Sequence, residues 1–126
     1  ISPLKFNHDV VVPKARVPEL FVLVEDLRRR YSLGIPCFGH VGDGNIHVNI
    51  MVSPDDAGAM ARAHEAERIL FEGVIKLEGS ISGEHGIGFA KAAYLGLELT
   101  PETIAVMRAV KAAFDPNGIL NPGKIF

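Results

Sequence analysis

The sequence predicts an α+β fold in which helices cover one face of an antiparallel sheet. Three observations support this class: short β-branched runs, segments with apolar residues three and four positions apart, and a glycine-rich turn between alternating stretches. With 126 residues, 48% of them hydrophobic, and a net charge of -2, the chain is large enough to bury one core. We therefore expect a single domain over residues 1–126.

The first elements are a strand and a helix. Residues 9–13 form a β-branched run that ends at Pro13, which predicts a short strand. The next segment has helical spacing and stops before Gly34 and Pro36. Its apolar positions form one stripe: Leu20, Leu23, Val24, Leu27 and Tyr31. The stripe predicts a helix that packs on the sheet.

Residues 38–50 predict a β-hairpin with a polar site on one face. The turn residues 42–45 are Gly-Asp-Gly-Asn, which tolerate positive φ. With that four-residue loop, His40 would lie opposite His47, their Cβ atoms about 5 Å apart. The period of two adds Phe38 and Asn49 to the histidine face and turns the opposite face toward a core: Ile46, Val48 and Ile50.

A second helix and a short strand would complete the sheet. The helix is predicted to begin at Ser53-Pro54-Asp55-Asp56 and to continue to Gly79. Its stripe contains Met60, Ala63, Leu70, Val74 and Leu77. Strand, helix, hairpin, helix and short strand are the order of a ferredoxin-like fold, which would leave the histidine face uncovered.

The remaining chain predicts C-terminal helices. A short amphipathic segment spans residues 94–99, and a longer helix opens at Thr100-Pro101. Apolar residues predicted to point inward follow at helical spacing: Ile104, Met107, Val110 and Phe114.

A glycine-rich loop at residues 82–88 supplies an acid and a third histidine. Glycines at this density predict a tight loop from which Glu84 and His85 project. Together with His40 and His47, Glu84 would complete a two-histidine, one-carboxylate set that suits Zn, Mn or Fe(II) and leaves coordination positions open. The alternative is that these histidines are simply solvated, but the cross-strand placement favours a metal or catalytic role.

Three motifs carry a family resemblance. The stretches 40–47, 82–88 and 121–126, HVGDGNIH, SGEHGIG and NPGKIF, resemble the C-terminal domain of FAD-linked 2-hydroxyacid dehydrogenases of the vanillyl-alcohol-oxidase type. That group includes the glycolate oxidase flavoprotein subunit, D-lactate dehydrogenases and D-2-hydroxyglutarate dehydrogenase. Residues 9–13 also resemble a stretch of this domain. The resemblance implies that the chain is the C-terminal piece of a longer flavoprotein.

The resemblance also implies residue roles. By similarity, the metal ligands are His40, His47 and Glu84, Asn49 contacts the substrate carboxylate, and His85 is the base that receives the hydroxyl proton. The full-length enzyme would oxidise a 2-hydroxy acid of the glycolate or D-lactate type to the 2-oxo acid. FAD would accept the hydride and would be bound mainly by the N-terminal domain, so this fragment alone would be inactive.

One position departs from the 2-hydroxyglutarate members. They carry a lysine two residues before the aspartate that matches Asp9, where this sequence has Asn7. The departure argues against a substrate with a distal carboxylate.

The partners that the resemblance implies are the FAD-binding domain of the same polypeptide, the small hydroxy acid and an iron-sulfur electron-transfer subunit.

Composition excludes other classes and sets the expected location. With thirteen basic and fifteen acidic residues, the chain has no excess of positive charge that would attract nucleic acid. No apolar run is long enough to span a bilayer. The single cysteine, Cys37, fits a reducing compartment, so we expect a cytoplasmic protein. Peripheral attachment to the inner membrane is the alternative.

Two other functions remain open at this point. The chain could be a stand-alone metal-binding module or small metallohydrolase that uses His40, His47, Glu84 and a bound water. It could also be a non-catalytic assembly piece whose histidines only cap the hairpin.

Overall fold

The computed structural model describes residues 4–126 and consists of two compact units. The first unit ends at His85, and the second is Gly86–Phe126. The elements of the first unit are β1 (Leu4–Val11), α1 (Val17–Tyr31), β2 (Cys37–His40), β3 (Asn45–Val52) and α2 (Ala59–Lys76). Those of the second unit are α3 (Leu95–Glu98) and α4 (Pro101–Phe114). None of the helices in residues 4–126 is long and apolar enough to cross a membrane.

The sheet is antiparallel, with the strand order β1-β3-β2. The predicted fourth strand is reduced to a single bridge between Val11 and Ser80, on the edge of β1 away from β3. Its two hydrogen bonds run from Val11 N to Ser80 O (3.0 Å) and from Ser80 N to Val11 O (2.8 Å). The α+β prediction is confirmed, and the bridge occupies the place of the last ferredoxin-like strand.

One face of the sheet packs against α1 and α2, as predicted. Ile46, Val48 and Ile50 of β3 are buried on this face together with Val10 of β1. The helices contribute Leu20, Val24, Leu27, Ala63, Ala66, Leu70, Phe71 and Val74. Burial of these side chains is the main stabilising term of the first unit.

Two predicted boundaries are wrong. The first strand is Leu4–Val11, because β1 pairs along the whole of β3, which begins at Asn45. The second helix begins at Ala59 and leaves Met60 41% exposed. It starts late because the Asp56 carboxylate accepts a hydrogen bond from the Gly58 amide (3.0 Å), which keeps the preceding residues in turns.

In the second unit, the predicted start of α4 is confirmed. Thr100 caps the helix, since its Oγ1 accepts a hydrogen bond from Thr103 N (3.3 Å), and Pro101 is the first helical residue. The inward stripe predicted for this helix is wrong for the described part of the chain, where no α4 residue is buried. Phe114, for example, is 83% exposed. Helical spacing identifies an apolar face, but it does not supply the surface that covers it.

Asp115 anchors the chain after α4. Its carboxylate accepts hydrogen bonds from Ile119 N (3.0 Å) and Leu120 N (2.9 Å) and pairs with the Lys111 ammonium group. The Lys111 interaction, supported by these amides, holds the pKa of the Asp115 carboxyl below its usual value.

This lowered pKa predicts a loss of stability in acid. Because the folded pKa is depressed, the stabilisation is complete above the unfolded value of about 3.9 and is lost as the pH falls through the folded pKa. We expect Asp115→Asn to lower Tm by a few degrees at pH 7 and by progressively less below pH 4. Thermal melts of both proteins between pH 7 and pH 3 measure the difference. A gap in Tm that stays constant over this range would contradict the assignment.

Candidate metal and substrate site

The hairpin that carries the site has a different register from the predicted one. In β2 and β3, His40 lies opposite Asn45 and Phe38 lies opposite His47, so the predicted opposition of the two histidines is wrong. The loop is residues 41–44, one residue earlier than predicted, and it ends at Gly44 with φ 77°. A Cβ on Gly44 would lie 2.1 Å from the Val12 carbonyl oxygen, so this packing against the chain after β1 requires glycine.

The prediction that both histidines share a face nevertheless holds. A loop displaced by one residue changes each pairing by two, and strand side chains repeat with that period. His40 and His47 are therefore diagonal neighbours, with ring centroids 5.8 Å apart. The shared face, and not direct opposition, brings the imidazoles together.

The structure brings the three predicted metal ligands together. One ligand atom from each of His40, His47 and Glu84 lies within 4.8 Å of the other two. His47 Nε2 and Glu84 Oε1 are 3.4 Å apart. His47 is buried, whereas His40 and Glu84 are exposed. The cluster is therefore anchored by one side chain and open to solvent through the other two.

The donor set fits a divalent cation. Two imidazoles and a carboxylate are ligands for Zn, Mn or Fe(II). Ligand atoms that each lie about 2.1 Å from a tetrahedral ion are about 3.4 Å apart, which matches the His47–Glu84 separation. The longest separation in the cluster must shorten for all three to bind one ion. The exposed side chains of His40 and Glu84 have room for that adjustment.

The two other predicted site residues lie beside this cluster. The His85 ring stacks on His47 with centroids 5.2 Å apart, and its Nε2 is 3.8 Å from Glu84 Oε1. Asn49 follows His47 by one period on the same face of β3 and is 6% exposed. Its buried side-chain oxygen has no hydrogen-bond partner within residues 4–126. An unsatisfied buried amide is costly unless a ligand or water completes it.

The histidine face is less open than predicted. Asn45, His47 and Asn49 are all buried, because residues 82–85 lie against this face. The approach is closest at Gly83, where a Cβ would lie 2.0 Å from Asn45 Nδ2. A larger residue here would displace the Asn45 side chain or move the loop with Glu84 away from β3.

Asp9 is a site residue that the sequence analysis missed. This β1 residue is 0% exposed and pairs with His47 across the sheet. Its Oδ2 accepts hydrogen bonds from the amides of Gly83 (2.8 Å), Glu84 (2.5 Å) and His85 (2.9 Å). The available signal was an acid inside a β-branched run, since a buried carboxylate requires compensating donors.

The fold and the site together define an α+β domain that presents a two-histidine, one-carboxylate cluster with a further histidine beside it. Residues 1–125 match the family model described as "FAD linked oxidases, C-terminal domain", and the chain belongs to this family. The resemblance found in the motifs is thereby confirmed.

Curated relatives cover nearly the whole chain. This chain is 40% identical over 126 residues to "Glycolate oxidase subunit GlcD" of Bacillus subtilis, and the alignment covers 100% of this chain and 27% of that protein. It is 40% identical to "D-2-hydroxyglutarate dehydrogenase" of Stutzerimonas stutzeri, over 96% of this chain and 27% of that protein. It is also 40% identical to "Probable D-lactate dehydrogenase, mitochondrial" of Danio rerio, over 95% of this chain and 24% of that protein. The chain thus spans about a quarter of the length of these relatives.

Proposed function

We propose that the chain is the metal- and substrate-binding part of a flavin-dependent oxidoreductase that converts a 2-hydroxy acid to the 2-oxo acid. The observation that carries the proposal is the cluster of His40, His47 and Glu84 beside His85 in a member of this family. Relatives named for glycolate, D-lactate and D-2-hydroxyglutarate support the substrate class.

His40, His47 and Glu84 hold a divalent metal, which is Zn, Mn or Fe. A bound divalent cation supplies Lewis-acid chemistry that lowers the pKa of a coordinated α-hydroxyl group. FAD, held mainly by the rest of the full-length polypeptide, supplies the hydride acceptor. His47 fixes the position of the cluster, because it is buried on β3, and the exposed His40 and Glu84 leave one side accessible to substrate.

His85 is the base. It receives the hydroxyl proton at Nε2, the ring nitrogen that lies on the Glu84 side at 3.8 Å from Glu84 Oε1. Stacking on His47 keeps the ring against the metal cluster. A hydroxyl group held at the cluster would therefore lie near a proton acceptor.

Asn49 orients the substrate carboxylate. Its amide is buried two residues beyond His47 on the same face, so it approaches substrate atoms next to those held at the cluster. Asn7 pairs with Asn49 across the sheet and is exposed and uncharged. These two neutral side chains favour a small substrate of the glycolate or D-lactate type over one with a distal carboxylate.

Replacing Asn49 separates substrate binding from metal binding. We expect Asn49→Ala to raise KM about tenfold, as loss of one hydrogen bond to a charged group does, while metal content stays at the wild-type level. Asn49→Asp, of nearly the same shape, should raise KM further, because it places a like charge near the substrate carboxylate. Kinetics and metal analysis of the full-length variants measure both. Loss of metal in Asn49→Ala would contradict the assignment.

The proposal is tested on the full-length polypeptide and on this chain alone. The full-length protein should contain metal and flavin and should reduce a dye with glycolate or D-lactate. The isolated chain should not, because it lacks the hydride acceptor; turnover by the chain without a flavoprotein domain would contradict the proposal. Ester hydrolysis by the chain alone would identify a metallohydrolase instead. Metal-free wild-type protein without redox activity would favour an assembly role.

We place the working enzyme in the cytoplasm, with the FAD-binding domain of its own polypeptide as partner. An iron-sulfur electron-transfer subunit would receive the electrons. The word "subunit" in the name of the Bacillus subtilis relative supports a multi-subunit assembly.

A further inference from the structure

We propose that Asp9 is a positioning residue that sets the loop carrying both Glu84 and His85 at the metal cluster. This inference rests on the proposed function, because it concerns how the same site is assembled. Asp9 itself lies in β1, where its side chain reaches the backbone of the loop.

One carboxylate oxygen of Asp9 binds the backbone of the loop. Asp9 Oδ2 accepts three successive amide hydrogen bonds, from residues 83, 84 and 85. Bonds from N–H groups to an ionised carboxylate are stronger than those to neutral acceptors. The regular pairing of this segment with β1 is limited to the bridge at Ser80, so Asp9 is the acceptor that orders the amides beyond it.

The same residue relates the loop to the strand that carries the buried ligand. Asp9 pairs with His47 in the β1-β3 ladder, so its backbone is fixed relative to His47 by the sheet. The side chain then fixes the backbone of Glu84 relative to Asp9. The 3.4 Å separation of His47 and Glu84 is therefore set through Asp9, although Asp9 is not one of the three clustered ligands.

Asp9 also faces the ring of His85. Its Oδ1 is 3.8 Å from His85 Nδ1, which is too long for a hydrogen bond but close enough for electrostatic attraction. Glu84 Oε1 lies at the same distance from Nε2, on the other side of the ring, so the imidazole is held between the two carboxylates.

Two substitutions at position 9 separate the hydrogen-bond acceptor from the charge. Asp9→Ala removes both, whereas Asp9→Asn keeps an amide oxygen that accepts N–H groups. Val10→Ala is the matched control, because Val10 is adjacent, fully buried and directed to the opposite face of the sheet, against the helices. All three are made in the full-length polypeptide. The measurements are bound metal per protein, kcat, KM, Tm, and amide hydrogen exchange at residues 83–85.

We expect Asp9→Ala to lose most of its metal and about 100-fold in kcat, within the range seen when groups behind metal ligands are removed. Asp9→Asn should recover the metal content but remain about tenfold below wild type in kcat. Val10→Ala should lower Tm by creating a cavity, yet keep metal and kcat. Wild-type metal and kcat in Asp9→Ala would overturn the proposal, and so would equal metal loss in Val10→Ala. If Asp9→Ala does not fold, wild-type kcat in Asp9→Asn overturns it.

Hydrogen exchange distinguishes failure of this inference from failure of the proposed function. If the wild-type protein binds no metal and oxidises no hydroxy acid, the proposed function fails. The attachment of the loop is then judged by exchange alone. Faster exchange at residues 83–85 in the Asp9 variants, and not in Val10→Ala, supports Asp9 as the loop anchor. Equal exchange in all variants overturns it.

Discussion

Alanine at any one of His40, His47 or Glu84 should remove the bound metal from the full-length polypeptide and lower kcat by about 100-fold or more. In the proposed site each side chain would contribute one of three protein ligands, and two ligands would leave a site that binds a divalent ion weakly. The readouts are metal content after dialysis and kcat with glycolate or D-lactate. His64→Ala is the control, because His64 is an exposed histidine on α2, outside the cluster.

Double variants provide a stronger test of the same prediction. Once one ligand is lost, the metal is absent, so removal of a second ligand should cost little more. We expect His40→Ala combined with Glu84→Ala to resemble either single variant. Additive losses in the double variant, or a single variant with stoichiometric metal, would show that the three side chains do not bind one ion.

Replacement of His85 should separate chemistry from metal binding. His85→Asn would remove the proposed base, and because a general base typically contributes about 10²- to 10⁴-fold, we expect kcat to fall by that factor. Metal content should be unchanged, because His85 is not one of the three clustered ligands. Its neighbour Glu84 lies on the same loop, so Glu84→Ala, which should lose metal, controls for simple disturbance of that loop.

Single-turnover kinetics sharpen the assignment of His85. If it accepts the hydroxyl proton, the variant should bind substrate with nearly unchanged affinity and slow only the reductive step. Loss of metal in His85→Asn, or a rise in KM with unchanged kcat, would assign His85 to binding and not to proton transfer.

The face on which each hairpin residue lies was predictable from the sequence. The period of two in β3 places Ile46, Val48 and Ile50 on the face opposite His47 and Asn49, and the strand pairing and the ring contacts of His47 confirm this division. The prediction is robust because a register shift by two keeps every side chain on its face. For the same reason, the prediction that His40 and His47 lie close together is correct although the predicted pairing is wrong.

The register itself was decided by tertiary structure. The loop ends at Gly44 because its backbone packs on the Val12 carbonyl oxygen, a contact between segments about thirty residues apart in the sequence. Local turn propensity favours a loop over residues 42–45, because Asn45 is a turn-forming residue and Val41 is not, and the tertiary contact overrides this preference.

The part played by Asp9 also required the tertiary structure. Local sequence placed it in a strand, but its three hydrogen-bond donors are in residues 83–85. Likewise, the Thr100 cap of α4 is local and was predicted, whereas the exposure of Phe114 depends on which surface meets the helix. Periodicity and capping depend on residues close together in the sequence, so the sequence alone predicts them. Contacts between residues far apart along the chain are decided only when the fold brings those residues together.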